Sequence, residues 1–138
     1  MQRRTLLSLL ALGFAAPAAA ETSRARRVVY HIADVDKVGF ALANMRNHRA
    51  GGPQPLDLAA VIHGPALNLF HTPTDNAGLK RELAAQQAAG DVFFACANTL
   101  ARHQWTLADM LPGLVLAEKG GVVKLADLQA EGWIYLRP

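Results

Sequence analysis

Hydrophobic positions along this chain fall into short β-branched or aromatic runs, separated by longer stretches with helical spacing. The runs Arg26–Ile32, Asp57–Ile62 and Asp91–Cys96 predict three strands. Two shorter runs, Leu114–Ala117 and Trp133–Leu136, predict two more. The second run is apolar almost throughout, which is typical of a strand covered on both faces. The sheet is therefore expected to lie between two other layers.

The segments between these strands show helical periodicity. It predicts four helices, at residues 38–49, 77–89, 98–103 and 121–131. Asp34 and Asp36 are candidate N-caps for the first helix, whereas residues 65–76, with two prolines, are expected to be irregular. Strands that alternate with helices predict parallel pairing with right-handed crossovers, hence a layered α/β/α domain.

The first twenty residues have the pattern of a secretory signal rather than of a folded element. Arg3 and Arg4 precede an apolar run, Thr5–Ala15, which is too short to anchor in a bilayer. Three alanines ending at Ala20 supply the small residues of a cleavage site. The paired arginines also resemble a twin-arginine signal. We therefore expect export by the Sec or Tat route, cleavage near Ala20 and a periplasmic location.

The remaining residues, 21–138, have the length of one small domain. The net charge of +3 falls to about +1 when Arg3 and Arg4 leave, because all eleven acidic residues lie further along the chain. No run of Lys and Arg is interleaved with aromatics, so no nucleic-acid partner is expected. No apolar stretch after residue 20 is long enough to cross a bilayer, so no membrane association is expected after signal removal.

The single cysteine, Cys96, is the strongest candidate for chemistry. It cannot form a disulfide within its own chain, so after export it is inert, paired with another chain, or reactive. His31, His63 and Cys96 end the first three predicted strands, and parallel strands bring such ends to one edge. Asn98 lies near a helix start whose N–H groups and dipole favour a thiolate. A neighbouring protonated histidine would lower the pKa of the thiol further.

These residues also have purely structural interpretations. A packed, inert cysteine is ordinary, because cysteine is among the most buried residue types. His31 ends an apolar strand and is equally suited to a hydrogen-bonded position in the core. His48, His71 and His103 are expected at the surface or in loops.

The order of several short motifs resembles the DsrE/DsrF-like family, most closely its exported branch of short proteins. The most specific motifs are His-Gly-Pro at 63–65, after the second strand, and Cys-Ala-Asn-Thr-Leu at 96–100, after the third. The likeness extends to the Gly-Trp-Ile-Tyr segment at 132–135. It implies a three-layer, flavodoxin-like domain with a mostly parallel five-stranded sheet, assembled as a homotrimer or hexamer.

In the best-understood members of that family, a cysteine that matches Cys96 accepts sulfane sulfur as a persulfide. The resemblance thus implies an exported protein that handles sulfane sulfur or thiol redox through Cys96. A donor or acceptor protein would supply the second thiol. His31 or His63 would stabilise the thiolate or carry a proton, and Asn98 would orient either one. No cofactor or metal is expected for this reaction.

Three other functions stay open at this point. A non-catalytic module that binds a small ligand or a metal would use His31, His63 and Cys96, which suit copper or zinc but lack close spacing. A Cys–His hydrolase needs a sharp nucleophile turn, and Ala95 and Ala97 do not supply its glycines. The third possibility is a structural subunit of an oligomer with an inert cysteine.

Overall fold

Within residues 24–138, the sheet has five strands, all parallel. The computed structural model describes residues 24–138, so the expected signal segment at 1–20 lies outside the described residues. The strands are β1 (Arg26–Ile32), β2 (Leu56–Ile62), β3 (Val92–Cys96), β4 (Val115–Ala117) and β5 (Ile134–Leu136). Their order across the sheet is β4-β3-β2-β1-β5. The expected α/β class and the five-stranded sheet are confirmed.

Helices cover both faces of this sheet. They are α1 (Val38–Gly51), α2 (Ala77–Ala88), α3 (Ala97–Arg102) and α4 (Gly121–Ala130), with 3-10 turns at Val35–Lys37, Gly64–Phe70 and Leu107–Asp109. The steps from β1 to β4 all run one way across the sheet, whereas the step from β4 back to β5 reverses. Right-handed crossovers therefore place α4 on the face opposite the other helices. None of the helices within residues 24–138 is long and apolar enough to span a bilayer.

Each face of the sheet has its own apolar cluster. The larger one lies under α1 and α2, and includes the fully buried Met45, Phe70 and Phe93. The smaller one packs Val29 and Val61 of the strands, with Ala59, against α4. Because side chains alternate along a strand, the residues two positions beyond Val29 and Val61 also face α4. Those residues are His31 and His63, so the chain's alternation places both histidines on the α4 face.

The start of α1 differs from the expectation. Asp34 and Asp36 do not cap this helix: a 3-10 turn at Val35–Lys37 intervenes, and the Asp34 side chain makes no capping hydrogen bond. Instead, the Asp34 carboxylate accepts a hydrogen bond from Arg137 at 3.1 Å. The side chain of Asp34 is thus paired with a residue far away in the sequence.

The expected irregular segment also differs from the structure in its first half. Residues Gly64–Phe70 form a 3-10 helix that buries Ala66, Leu67 and Phe70. Pro65 lies in the first turn of this helix, where its missing N–H costs nothing. The proline therefore starts a helical turn rather than breaking one.

Candidate functional site

The carboxyl ends of β1, β2 and β3 bring His31, His63 and Cys96 together. Ile62 pairs with Ala95, so the next residues along these two strands, His63 and Cys96, are neighbours. The rings of His31 and His63 meet edge to edge and nearly coplanar, with centroids 4.7 Å apart and planes inclined by 19°. The structure thus groups three residues that are widely separated in the sequence.

The sulfur of Cys96 is held by donors from two helix starts. The backbone N–H of Gly121, the first residue of α4, donates to Sγ at 3.1 Å. Cys96 itself is the residue that precedes α3, at its N-cap position. The hydroxyl oxygen of Thr99 accepts a hydrogen bond from the backbone N–H of Gly64 at 2.9 Å, which leaves the hydroxyl proton for the sulfur.

These donors decide the ionisation of the thiol. Burial by itself raises the pKa of Cys96, whose residue is only 4% exposed. The Thr99 hydroxyl and the backbone N–H groups of Thr99, Gly121 and Asn98 outweigh burial, so the pKa lies below its usual value. The N-terminal end of the α4 dipole acts in the same direction. The sulfur is therefore biased toward the thiolate, which is the nucleophilic form.

Close approach of α4 to the sulfur favours glycine at its first residue. A Cβ on Gly121 would lie 3.1 Å from Cβ of His63 and 3.4 Å from Cβ of Cys96, which is too close for an unstrained side chain at the first contact. The preceding residue, Gly120, has φ +97° and lies against the side-chain amide of Asn98. The pair of glycines thus lets the first N–H of α4 reach the thiolate.

The two histidines are linked to a tyrosine from β5. Nε2 of His31 is hydrogen-bonded to Nε2 of His63, and Nδ1 of His31 lies 2.6 Å from the hydroxyl of Tyr135. Burial lowers the pKa of His31 to about 4, with further lowering by His63 and Arg137 and partial opposition from Asp34. Burial and the charge of Arg137 also lower the pKa of His63, again against Asp34.

Both imidazoles are therefore neutral at neutral pH. The expectation that a protonated histidine stabilises the thiolate is wrong, because hydrogen-bond donors do this instead. A neutral imidazole carries one N–H, so the bond between the rings needs one donor and one acceptor. If Tyr135 donates to His31, then His31 donates to His63, and His63 keeps its proton on Nδ1. The reverse order leaves Nδ1 of His63 as an acceptor.

A small cavity opens above the sulfur. This cavity, the Cys96 recess, has a volume of about 210 Å³. Its lining includes His63, Asn98 and Thr99, the cationic residues Arg102 and Lys119, and the N-terminal turn of α4. His31 is not part of the lining and lies behind His63. Asn98 borders the recess, but its side chain rests on Gly120 rather than between the cysteine and a histidine.

A larger groove of about 460 Å³ lies elsewhere, between α2 and the loop at Leu111–Gly113. Its walls are mostly apolar, and they contain no thiol or imidazole. The thiol of Cys96 and the imidazole of His63 instead line the Cys96 recess, although that cavity is smaller.

The geometry does not favour two of the alternative functions. Within residues 24–138, no group of three or more His, Cys, Asp or Glu side chains is arranged to hold a metal ion. A Cys–His hydrolase needs an imidazole hydrogen-bonded to the sulfur, whereas the donors to Sγ are the Thr99 hydroxyl and backbone N–H groups, including that of Gly121.

Sequence reasoning missed four contributors to this site: Tyr135, Gly121, Arg102 and Lys119. Two glycines at the start of the last predicted helix were a usable signal, because paired glycines often mark close backbone approach. Nothing in the local sequence, by contrast, indicates that Tyr135 reaches His31. That contact depends on β5 pairing with β1.

Comparison with known proteins gives structural neighbours only, since neither a protein-family model nor a curated protein matches the chain. A protein of unknown function, MTH1491 from Methanobacterium thermoautotrophicum, is similar with a TM-score of 0.74 and 28% identity, over 82% of this chain and 99% of that one. The YchN protein of E. coli has a TM-score of 0.65 and 13% identity, with the same coverage. The fold is DsrE-like.

This fold is the one that the motifs at 63–65 and 96–100 led us to expect. The match covers both neighbours almost end to end. Membership of an exported branch, the export itself and the oligomeric assembly stay predictions.

Proposed function

We propose that this protein is a sulfane-sulfur carrier that holds sulfur as a persulfide on Cys96. One observation carries the proposal: the sulfur of Cys96 lies at the floor of a recess and accepts the first N–H of α4 at 3.1 Å. Together with Thr99, this contact lowers the pKa of the thiol. A thiolate that faces a cavity is the form that attacks a sulfur donor.

The transfer proceeds without any change in overall redox state. The Cys96 thiolate attacks the outer sulfur of a donor R–S–S⁻ and forms a new S–S bond. The donor's own S–S bond breaks, and R–S⁻ leaves with the electron pair. In the second step, an acceptor thiolate attacks the outer sulfur of the Cys96 persulfide and releases the Cys96 thiolate. No electrons enter or leave, so the cycle uses no redox cofactor.

The histidines serve the persulfide as a hydrogen-bonded unit. When Tyr135 donates to His31 and His31 donates to His63, His63 has its proton on Nδ1 and is a neutral donor for an anionic sulfur chain. A neutral donor stabilises the anion without forming a tight ion pair. The outer sulfur thus stays available to an acceptor.

We also propose periplasmic export and a homo-oligomer, trimeric or hexameric, that exchanges sulfur with a donor or acceptor protein. The pattern of residues 1–20 supports export. Exposed apolar residues support assembly: Val115 and Leu116 on one edge strand, Ile134 and Leu136 on the other, and Val122, 68% exposed, at the start of α4. Unpaired sheet edges with apolar side chains are typical of interaction surfaces.

The test is a sulfur challenge of residues 21–138. Treatment with polysulfide followed by mass spectrometry of intact and digested protein should add the mass of sulfur atoms to the peptide that contains Cys96. The variant C96S is the control and should gain none. If native Cys96 reacts with iodoacetamide but accepts no sulfur from any donor, the protein is not a sulfur carrier. A cysteine that reacts only after unfolding would indicate the inert structural role.

A further inference from the structure

The charged side chains that line the Cys96 recess are all positive. Arg102, at the end of α3, and Lys119, just before α4, are the charged residues of its lining, and no carboxylate belongs to that lining. Among residues 24–138, neither cation forms an ion pair. The N-terminus of α4 adds partial positive charge at the same place. A cavity lined by one sign of charge concentrates ligands of the opposite sign.

Little space is available at the sulfur. Cys96 is 4% exposed, and the recess above it holds about 210 Å³. That volume is below the roughly 300–1,000 Å³ of pockets that enclose drug-sized molecules. A cysteine on the surface of a folded protein would have to enter the recess together with its own backbone. A donor only a few atoms long fits without moving the walls.

From charge and access together we infer that Cys96 is loaded by a small inorganic sulfane-sulfur anion, such as polysulfide or thiosulfate, which Arg102 and Lys119 bind. This inference rests on the proposed carrier function and names the donor that the function leaves open. A folded protein that bears a persulfide is the competing donor, and the access to the sulfur argues against it.

The transfer of sulfur to Cys96 is a balanced reaction with either anion. The Cys96 thiolate attacks the outer sulfur of thiosulfate, the S–S bond breaks, and sulfite leaves with the electron pair. With polysulfide, the leaving group is a dianion that is one sulfur shorter. In both reactions negative charge builds up on the departing group, and cations beside the recess stabilise it there. Arg102 and Lys119 thus assist both the encounter and the bond cleavage.

The experiment compares reagents of different charge on the same thiol. The double variant R102Q/K119Q removes the two cations of the recess, and K80Q/R81Q is the matched control, which removes one Lys and one Arg from α2. All four side chains are exposed. The rate at which Cys96 is modified is measured by mass spectrometry for polysulfide, for thiosulfate and for methyl methanethiosulfonate, a neutral reagent that reacts with the same thiolate.

We expect the double variant to lose about tenfold or more of the rate with at least one inorganic anion. Its rate with the neutral reagent should change less than about twofold, and the α2 control should match the wild type. Rising salt should slow the wild type with the same anion, because exposed charges are screened. The separate arms identify which of the two anions is the donor.

Two results would overturn the inference while leaving the carrier function intact. One is an unchanged rate with both anions in R102Q/K119Q. The other is a wild-type Cys96 that takes sulfur from a persulfidated carrier protein but from neither anion. If Cys96 reacts with the neutral reagent yet takes sulfur from no donor at all, the carrier function itself fails, and the inference fails with it.

Discussion

At the scale of single residues, Cys96 combines burial with a tendency to ionise. Burial favours the neutral thiol, so an apolar pocket would have made this cysteine inert. Four hydrogen-bond donors reverse the balance, and they come from Asn98, Thr99 and Gly121. The Thr99 hydroxyl is the largest of these favourable contributions. Its orientation is set by Gly64, which donates to its oxygen and leaves its proton for the sulfur.

Removing that hydroxyl should make the cysteine a poorer nucleophile. In T99V, one of the donors that lower the pKa of Cys96 is lost, whereas burial still raises it. We therefore expect the pKa of Cys96 to rise and its alkylation by iodoacetamide to slow near neutral pH. The rates of variant and wild type should converge at high pH, where both thiols are ionised. The N–H of Gly64 also loses its acceptor, at a cost of about 1–3 kcal/mol in unfolding free energy.

The control for T99V is T99S, which keeps the hydroxyl and should alkylate with nearly the wild-type pH profile. Equal pH profiles for T99V and the wild type would show that the hydroxyl does not tune the thiol. Both variants are compared with the wild type in urea, so that a change in stability is separated from a change in reactivity.

At the scale of elements, an ion pair fastens α1 to the start of β3. The carboxylate of Asp91 is fully buried and is paired with the guanidinium of Arg49. Arg49 also donates to the carbonyl oxygen of Leu56 at 2.5 Å, so it reaches the start of β2 as well. Burial raises the pKa of Asp91 more than Arg49 lowers it. The carboxylate therefore depends on its one cation.

Loss of that cation should destabilise the domain far more than loss of an exposed one. R49M leaves a buried carboxylate without a partner, and we expect the unfolding free energy to fall by about 3–5 kcal/mol. R46M, on the same helix, breaks the exposed pair with Glu82 and should cost about 0–1 kcal/mol. Urea titrations measure both variants.

The double variant R49M/D91N completes this comparison. It removes the charge as well as its partner, so it should recover part of the stability that R49M loses. If R49M were no less stable than R46M, the buried pair would not hold α1 on the sheet.

At the scale of the whole molecule, the histidine pair ties β1, β2 and β5 together at one end of the sheet. His31 belongs to β1 and His63 follows β2, while Tyr135 comes from β5. The bond between the two rings needs one nitrogen without a proton. Protonation of both imidazoles would remove the acceptor and place two positive charges side by side, so acid should weaken this end of the fold.

The direction in which pH changes the folding stability follows from the pKa of His31 in the folded and unfolded states. The pKa of His31 is about 4 in the folded protein, against an ordinary value of 6.5 in the unfolded chain. Between these two pH values the unfolded chain therefore binds more protons than the folded protein. Stability should therefore be fully present above pH 6.5 and fall as the pH drops toward 4. His63 acts in the same direction. Urea midpoints measured across this interval give the slope.

The variant H31N provides the comparison for the pH slope. It removes one of the two titrating imidazoles, so its urea midpoint should decline less steeply with acid than that of the wild type. The same slope in both proteins would mean that other groups dominate the acid response.

Much of the architecture was predictable from the sequence. β-branched runs marked all five strands to within one or two residues, since strand residues need side chains that fit a pleated, buried surface. Helical periodicity located the four helices in the same way. The errors were local ones at Asp34 and at Gly64–Phe70, where a distant arginine and a proline in a first turn changed the outcome.

The sequence by itself also placed His31, His63 and Cys96 at or next to the carboxyl ends of three successive strands. Only the tertiary structure decided which groups from distant parts of the chain surround the sulfur. The reversal of direction after β4 carries α4 to the opposite face and sets Gly121 on Cys96, with Arg102 and Lys119 at the recess. Local sequence does not encode such contacts, because they depend on the order and handedness of whole elements. The helix start after Cys96 was visible in the sequence, whereas the donor at Gly121 was supplied by the fold.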